Sequence, residues 1–189
     1  MPTPRRTSLE AIVAAGRDLL EVGGLDGLTM QSVADRVGVR APSLYKRVRN
    51  RSDLVALVAD ASIRDLGERL DAAAAAAGGD AREALRRLAA VARAFAHERP
   101  AAFALVFAPG ADLRLEDDSL AAASASVLRV ASELAGPEHA LDAARTFTAW
   151  ANGFISMELA GAFRLAGEVD RAFDFGIDRL SRAMSLPST

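Results

Sequence analysis

The sequence of 189 residues contains no cysteine. A disulfide framework, a cysteine-ligated zinc site and thiol catalysis are therefore excluded. Only two histidines occur: His97 stands just before Arg99-Pro100 and His139 just after Gly136-Pro137, so neither makes a ligand pair with its neighbours. There is no glycine-rich phosphate loop and no Ser-His-Asp arrangement. No run of about 18 uncharged apolar residues appears, so no bilayer span is expected. The start, Met1-Pro2-Thr3-Pro4-Arg5-Arg6, lacks the apolar core of a secretory signal, and a soluble, cytoplasmic chain without a membrane partner is the expectation. A strong net charge is missing too. Against 25 acidic side chains stand 23 basic ones, a balance of −2 that marks neither a nucleic-acid nor a membrane binder.

That balance conceals an uneven distribution. Residues 1–51 carry +4 and residues 52–189 carry −6. The only lysine, Lys46, lies among Arg40, Arg47, Arg49 and Arg51 in the basic part. A basic head on an acidic body suggests that the head meets a polyanion. Clustering on a solvated surface would look the same from charge alone.

Periodicity is helical throughout. Thr7 and Glu10 form a capping-box signature for a first helix carrying Leu9, Ile12, Val13, Gly16, Leu19 and Leu20, closed by Gly23-Gly24. Thr29 caps a short second helix with Val33, Ala34 and Val37 on one face, and Gly38 ends it. A third begins near Ala41 with Pro42 in its first turn, Leu44 and Val48 facing inward. Asn50 with Asp53 caps a fourth helix of about 25 residues, ending near Ala77. Further helices run from Asp80 to Pro100, through Phe103 to Pro109-Gly110, over 117–135, from about Glu138 to Ala166, and from Asp170 to about Met184. No alternating β-branched run bounded by turns appears. The fold class is all-α, with a helix-turn-helix head over residues 1–51 and a helical body over 52–189.

Two short helices joined by a three-residue turn containing glycine are the ingredients of a helix-turn-helix. Ala34 is small where the helices cross, and Val39 and Leu44 bury between them. A packed pair within a bundle would share that spacing. It would have no reason to carry five basic residues between Arg40 and Arg51, nor an exposed Tyr45-Lys46 pair.

At this point the residues resemble a known family. Leu28-Thr29-Met30-Gln31-Ser32-Val33-Ala34-Asp35-Arg36-Val37-Gly38-Val39, then Ala41-Pro42-Ser43-Leu44-Tyr45-Lys46, then Asn50-Arg51-Ser52-Asp53-Leu54, resemble the DNA-binding head of TetR-family transcriptional regulators, over about residues 8–58. Val48 stands where phenylalanine is common and Arg51 where lysine is usual. The resemblance implies that Thr29, Tyr45, Lys46 and Arg51 hold backbone phosphates, which fixes register. It also implies that Gln31, Arg40, Ala41, Pro42 and Ser43 face base edges, Arg40 suited to guanine and Gln31 to adenine.

The body offers two apolar stripes. Trp150, Gly153, Phe154, Met157 and Gly161 share one, and both glycines suit close approach of another helix. Phe173, Ile177, Leu180 and Met184 form the second. Packing within the chain is one use for them. The resemblance implies another, a homodimer, for which Gly153, Phe154, Gly161, Phe173, Ile177 and Leu180 are the interface candidates. Two heads would then read a palindromic operator with half-sites about 34 Å apart, or a multiple of that. Residues 145–184 are similar to the WHG-type C-terminal domain of the family through Asn152-Gly153-Phe154-Ile155-Ser156-Met157-Glu158, with Asn152 where the pattern has histidine.

An apolar pocket for a small-molecule effector is expected where Phe95, Phe103, Phe107, Phe147, Trp150 and Met157 converge, with Glu158 as a polar contact. Each aromatic also suits plain core, and Glu158 an arginine across a dimer. The resemblance implies that the effector shifts the fourth helix and lowers operator affinity. Glu116-Asp117-Asp118 suggests metal-bound diphosphate chemistry, but without a second carboxylate cluster it reads as a helix N-terminus. No enzyme activity, cofactor or metal is expected. A DNA-binding regulator governed by a protein partner is the alternative, with an all-α enzyme behind it.

Overall fold

The computed structural model describes residues 8–107 and 117–185. Among them are α1 (Leu9–Gly27), α2 (Met30–Val37), α3 (Ala41–Leu44), α4 (Arg51–Ala75), α5 (Ala81–Glu98), α6 (Pro100–Phe107), α7 (Asp117–Ala135), α8 (Ala140–Leu159) and α9 (Val169–Met184). One 3-10 turn, Pro137–His139, precedes α8, and no strand is present among the described residues. The chain is all-α. Thr7, Pro109-Gly110 and Glu116, to which the sequence assigned caps and stops, lie outside the described residues.

The described residues divide between two compact units, one within 1–63 and 99–119, the other within 64–98 and 120–189. The boundary between them falls inside α4, beyond the end of the basic segment.

In the first unit, Ser8 caps α1, its side chain accepting from the Ala11 amide at 3.2 Å. Gly24 breaks the helical path at φ +60°, a conformation that glycine adopts without strain. Ile12, Leu20, Leu28, Val33, Ala34, Leu44, Val48, Leu54 and Val58 form the core. Each fully buried aliphatic side chain contributes about 1.5–3 kcal/mol. A Cβ built at Gly16 would lie 2.7 Å from Val58 Cγ2, so the bare backbone lets α1 approach α4. Glu21 reaches from α1 to the start of α6, accepting from the amides of Ala101 and Ala102 at 3.0 and 2.9 Å. A helix start leaves such amides without partners of its own, so Glu21 serves as a cap supplied from a distant segment. Asp18, one turn earlier, pairs with Arg99 at 3.7 Å and Arg36 at 3.4 Å.

In the second unit, Asp80 caps α5 by accepting from the amides of Arg82 and Glu83 at 2.9 and 3.0 Å. Where α4 meets α7, a Cβ at Gly67 would sit 2.9 Å from Ala123 Cα, so the two backbones nearly touch. Against the expected helix to Ala166, α8 ends at Leu159. The amides of Gly161 and Ala162 return to the carbonyls of Glu158 and Met157 at 2.9 Å each, and Gly161 adopts φ +63°. Those two bonds and the left-handed glycine stop the helix. Gly161 is thus a terminator, and its place on the stripe expected for close helix approach is corrected.

Candidate nucleic-acid interface

The second and third helices are held by short-range hydrogen bonds. Thr29 Oγ1 accepts from the Ser32 amide at 3.0 Å, and Ser32 Oγ accepts from the Thr29 amide at 3.0 Å. This reciprocal box satisfies two amides at the start of α2. At its other end Gly38 sits at φ +74°, and the Val39 amide donates to the Ala34 carbonyl at 2.9 Å. A side chain at position 38 would strain that turn. Arg40, in extended backbone, then opens α3, with Pro42 in the first turn, where a missing amide hydrogen costs nothing.

Leu44 and Val48 are fully buried and hold the α3 segment against the core. The side chains between and before them stay outside. Tyr45 is 56% exposed, a large aromatic that burial within the chain does not account for. Gln31, Arg40, Pro42, Lys46, Arg47 and Arg51 are also exposed, while Thr29, Ala41 and Ser43 are half-buried. All nine residues that the sequence assigned to DNA therefore reach the surface of one unit.

Two of the cations have structural partners. Arg49 pairs with Asp53 at 2.9 Å. Hydrogen bonds from the Arg49 side chain and amide hold the Asp53 carboxyl below the usual aspartate range. Asn50 Oδ1 accepts from the Asp53 amide at 2.9 Å, the expected cap of α4. Arg51 donates Nε to the Leu28 carbonyl at 2.9 Å and Nη2 to the Leu25 carbonyl. It clamps the start of α4 to the α1–α2 turn, a task that its expected phosphate contact did not foresee. A guanidinium has five donors, so one role does not exhaust the other.

The residues assigned to an effector are divided. Phe103 and Phe107 belong to the first unit, their rings 4.8 Å apart. Phe95, Phe147, Trp150, Met157 and Glu158 belong to the second. There, Phe95 and Phe147 are core, whereas Met157 is 50% exposed. Trp150 stacks 5.3 Å from Phe173 and 5.8 Å from Phe154, an aromatic cluster between α8 and α9. Glu158 is committed within the chain. Arg93 donates to both its oxygens, at 2.8 and 2.5 Å, and also to Asp170 at 2.5 Å. His97 Nε2 lies 3.3 Å from the same carboxylate. The Arg93 hydrogen bonds hold the Glu158 carboxyl below the usual range, against the opposing effect of burial. Its partner is an intrachain arginine.

Phe173 and Ile177 turn inward, 3% and 2% exposed, in the packing of α9 on α5 and α8. Their surface is spent largely inside the chain. Phe154 and Leu180 are half-buried and Gly153 is exposed. Leu141, Met157, Leu159 and Phe175 supply the exposed large apolar side chains of α8 and α9, and the loop after α8 adds Phe163 and Leu165. Phe175 was missed because a single aromatic two positions from Phe173 makes no stripe. Open grooves of about 500 and 300 Å³ border α5; the first lies against Arg69, Ala72, Ala73, Arg87 and Val91, none of them an expected effector contact. Among the described residues no cluster of three metal-ligating side chains occurs, and no helix is long and apolar enough to cross a membrane.

Known proteins match both units. The family described as bacterial regulatory proteins, tetR family, matches residues 12–58. The family described as tetracyclin repressor-like, C-terminal domain, matches residues 85–180, a longer stretch than the WHG-type resemblance covered. The uncharacterized HTH-type transcriptional regulator Rv0681 of Mycobacterium tuberculosis is 28% identical over 98% of this chain and 85% of its own. Among solved structures, a protein of unknown function from Rhodococcus sp. RHA1 superposes with a TM-score of 0.78 at 24% identity, covering 97% of each chain. A TetR variant from Acinetobacter baumannii AYE, in complex with minocycline, gives 0.67 at 22% identity over 95% of this chain and 99% of that one. At such identities these two share the fold.

Proposed function

The chain belongs to the tetR family of bacterial regulatory proteins, helix-turn-helix transcription regulators that are not enzymes, and on that premise we propose that it is a repressor released from DNA by a small molecule. One observation carries the reading. A rigidly capped turn presents Arg40, Pro42, Tyr45, Lys46 and Arg47 to solvent, at the one strongly basic part of an otherwise acidic chain.

Thr29, Tyr45, Lys46 and Arg51 contact phosphates, and Gln31, Arg40, Ala41, Pro42 and Ser43 face bases in the major groove. One head makes few contacts. A homodimer through α8 and α9 supplies the second, and the exposed Leu141, Met157 and Phe175 support that face. Residues 145–184 keep their WHG-type reading here, on Asn152 to Glu158.

The effector is apolar and aromatic-bound, a reading supported within the second unit by Trp150 and its neighbours Phe154 and Phe173, while the Acinetobacter baumannii relative holds a small molecule, minocycline. Its binding lowers operator affinity only in so far as it prefers the conformation that DNA disfavours. The fourth helix, α4, which runs from the first unit into the second, is the element whose shift carries that preference to the head.

The test has two stages. Duplexes enriched from a random pool are expected to show inverted half-sites and to bind two chains in sedimentation. A metabolite that raises the melting temperature is then expected to release them. Enriched duplexes that bind one chain, with no releasing compound, would overturn the reading.

A further inference from the structure

Gln31 and Asp35 stand one turn apart on the exposed side of α2, and Gln31 Nε2 donates to Asp35 Oδ1 at 2.7 Å. A carboxylate accepts and does not donate, so the atom that faces Asp35 is the amide nitrogen and Oε1 points the other way. Without Asp35 the carboxamide of a surface glutamine turns freely and offers either a donor or an acceptor to a base. With Asp35 one of those orientations is selected before DNA arrives.

We propose that Asp35 is a positioning residue that fixes Gln31 as a reader of bases that present an exocyclic amino group in the major groove. The inference rests on the reading of Gln31 as a base contact. Oε1 then accepts from adenine N6 or cytosine N4, and it repels guanine O6 and thymine O4. An amide nitrogen carries two hydrogens. One goes to Asp35, and the other remains for adenine N7, so adenine satisfies the group more fully than cytosine. Asp35 also sets a negative charge beside the contact, which favours the amino-bearing edges further.

The experiment sequences duplexes enriched from a random pool by the full-length chain and by Gln31→Ala, Asp35→Asn and Asp35→Lys. All changes fall on exposed side chains, so the fold is retained, and circular dichroism checks it. The unchanged chain is expected to select adenine, or cytosine second, at one position per half-site that Gln31→Ala leaves indifferent. Asp35→Asn, which donates or accepts, is expected to lower the adenine-to-guanine ratio there about twofold. Asp35→Lys only donates, so it holds Oε1 and turns the amide hydrogens outward; preference at that position is expected to move to guanine. Base frequencies at the Gln31-dependent position that stay unchanged in both Asp35 variants would overturn the proposal, as would a guanine preference in the unchanged chain. Enrichment that Gln31→Ala leaves unaltered at every position would instead remove Gln31 as a base contact. Failure to enrich any duplex would remove the DNA reading itself.

Discussion

Gly176 on α9 has no side chain where the indole of Trp150 on α8 lies: a Cβ there would sit 2.5 Å from Trp150 Cζ2. The ring fills that space and stacks on Phe173 and Phe154. Alanine at 176 would gain about 1 kcal/mol in helix propensity and lose about 1–3 kcal/mol to overpacking. Gly176→Ala is therefore expected to lower the urea midpoint and shift tryptophan emission, which reports this site alone because Trp150 is the only tryptophan. Unchanged stability and emission would contradict the packing.

Gly153 is the opposite case. A Cβ there meets nothing within 4 Å, so within one protomer Gly153→Ala should add about 1 kcal/mol. In the proposed dimer the same methyl presses on the second copy. Sedimentation is expected to show weaker association alongside a more stable protomer. Equal association would take Gly153 off the interface.

Glu21→Ala removes the cap at the start of α6. A lost cap typically costs about 1 kcal/mol. Hydrogen exchange should accelerate at the amides of Ala101 and Ala102 and leave α2 unchanged. Protection that survives the substitution would mean that another group satisfies those amides.

Acid should loosen the second unit through Glu158. Its pKa is held below the ordinary value of 4.5 by the Arg93 hydrogen bonds, so its contribution is complete above that value. As pH falls through the lowered pKa, the carboxylate is protonated and the stabilisation is lost. Glu158→Gln, which cannot ionise, should flatten this acid-side slope and lower stability at neutral pH by about 2 kcal/mol. An unchanged acid profile in that variant would assign the slope to other carboxylates.

Where structure depends on neighbours in the chain, it was legible in the sequence. Gly38, Pro42 and the Asn50–Asp53 cap act within a few residues, so the head could be read nearly helix by helix. The same locality gave α7 and the length of α4. Gly161 shows the limit: spacing alone does not separate a glycine that admits another helix from one that ends its own. Glu21 caps amides 80 and 81 residues away, and no local pattern announces it. Phe173 and Ile177 form a stripe with correct spacing, but periodicity says that a face is buried and not what buries it. Arg51 was legible as a cation, while its bonds to the Leu25 and Leu28 carbonyls depend on how α4 meets the head.

The bonds of Arg51 to two carbonyls can be tested apart from its proposed phosphate contact. Arg51→Lys keeps the charge and loses the forked geometry that grips two carbonyls. It should lower head stability by about 1 kcal/mol while the salt dependence of DNA binding stays the same. A changed salt dependence at full stability would make Arg51 a phosphate contact and nothing more.

The central claim is that the basic edge around Lys46 lies along duplex DNA. Anisotropy of a labelled, enriched duplex, titrated from about 50 to 200 mM salt, tests it through counterion release. Affinity should fall linearly on logarithmic axes, and Lys46→Ala, which removes one phosphate contact from each head of the proposed dimer, should reduce the slope by about 1.8. No binding at the lowest salt, or a slope that ignores the loss of Lys46, would contradict it.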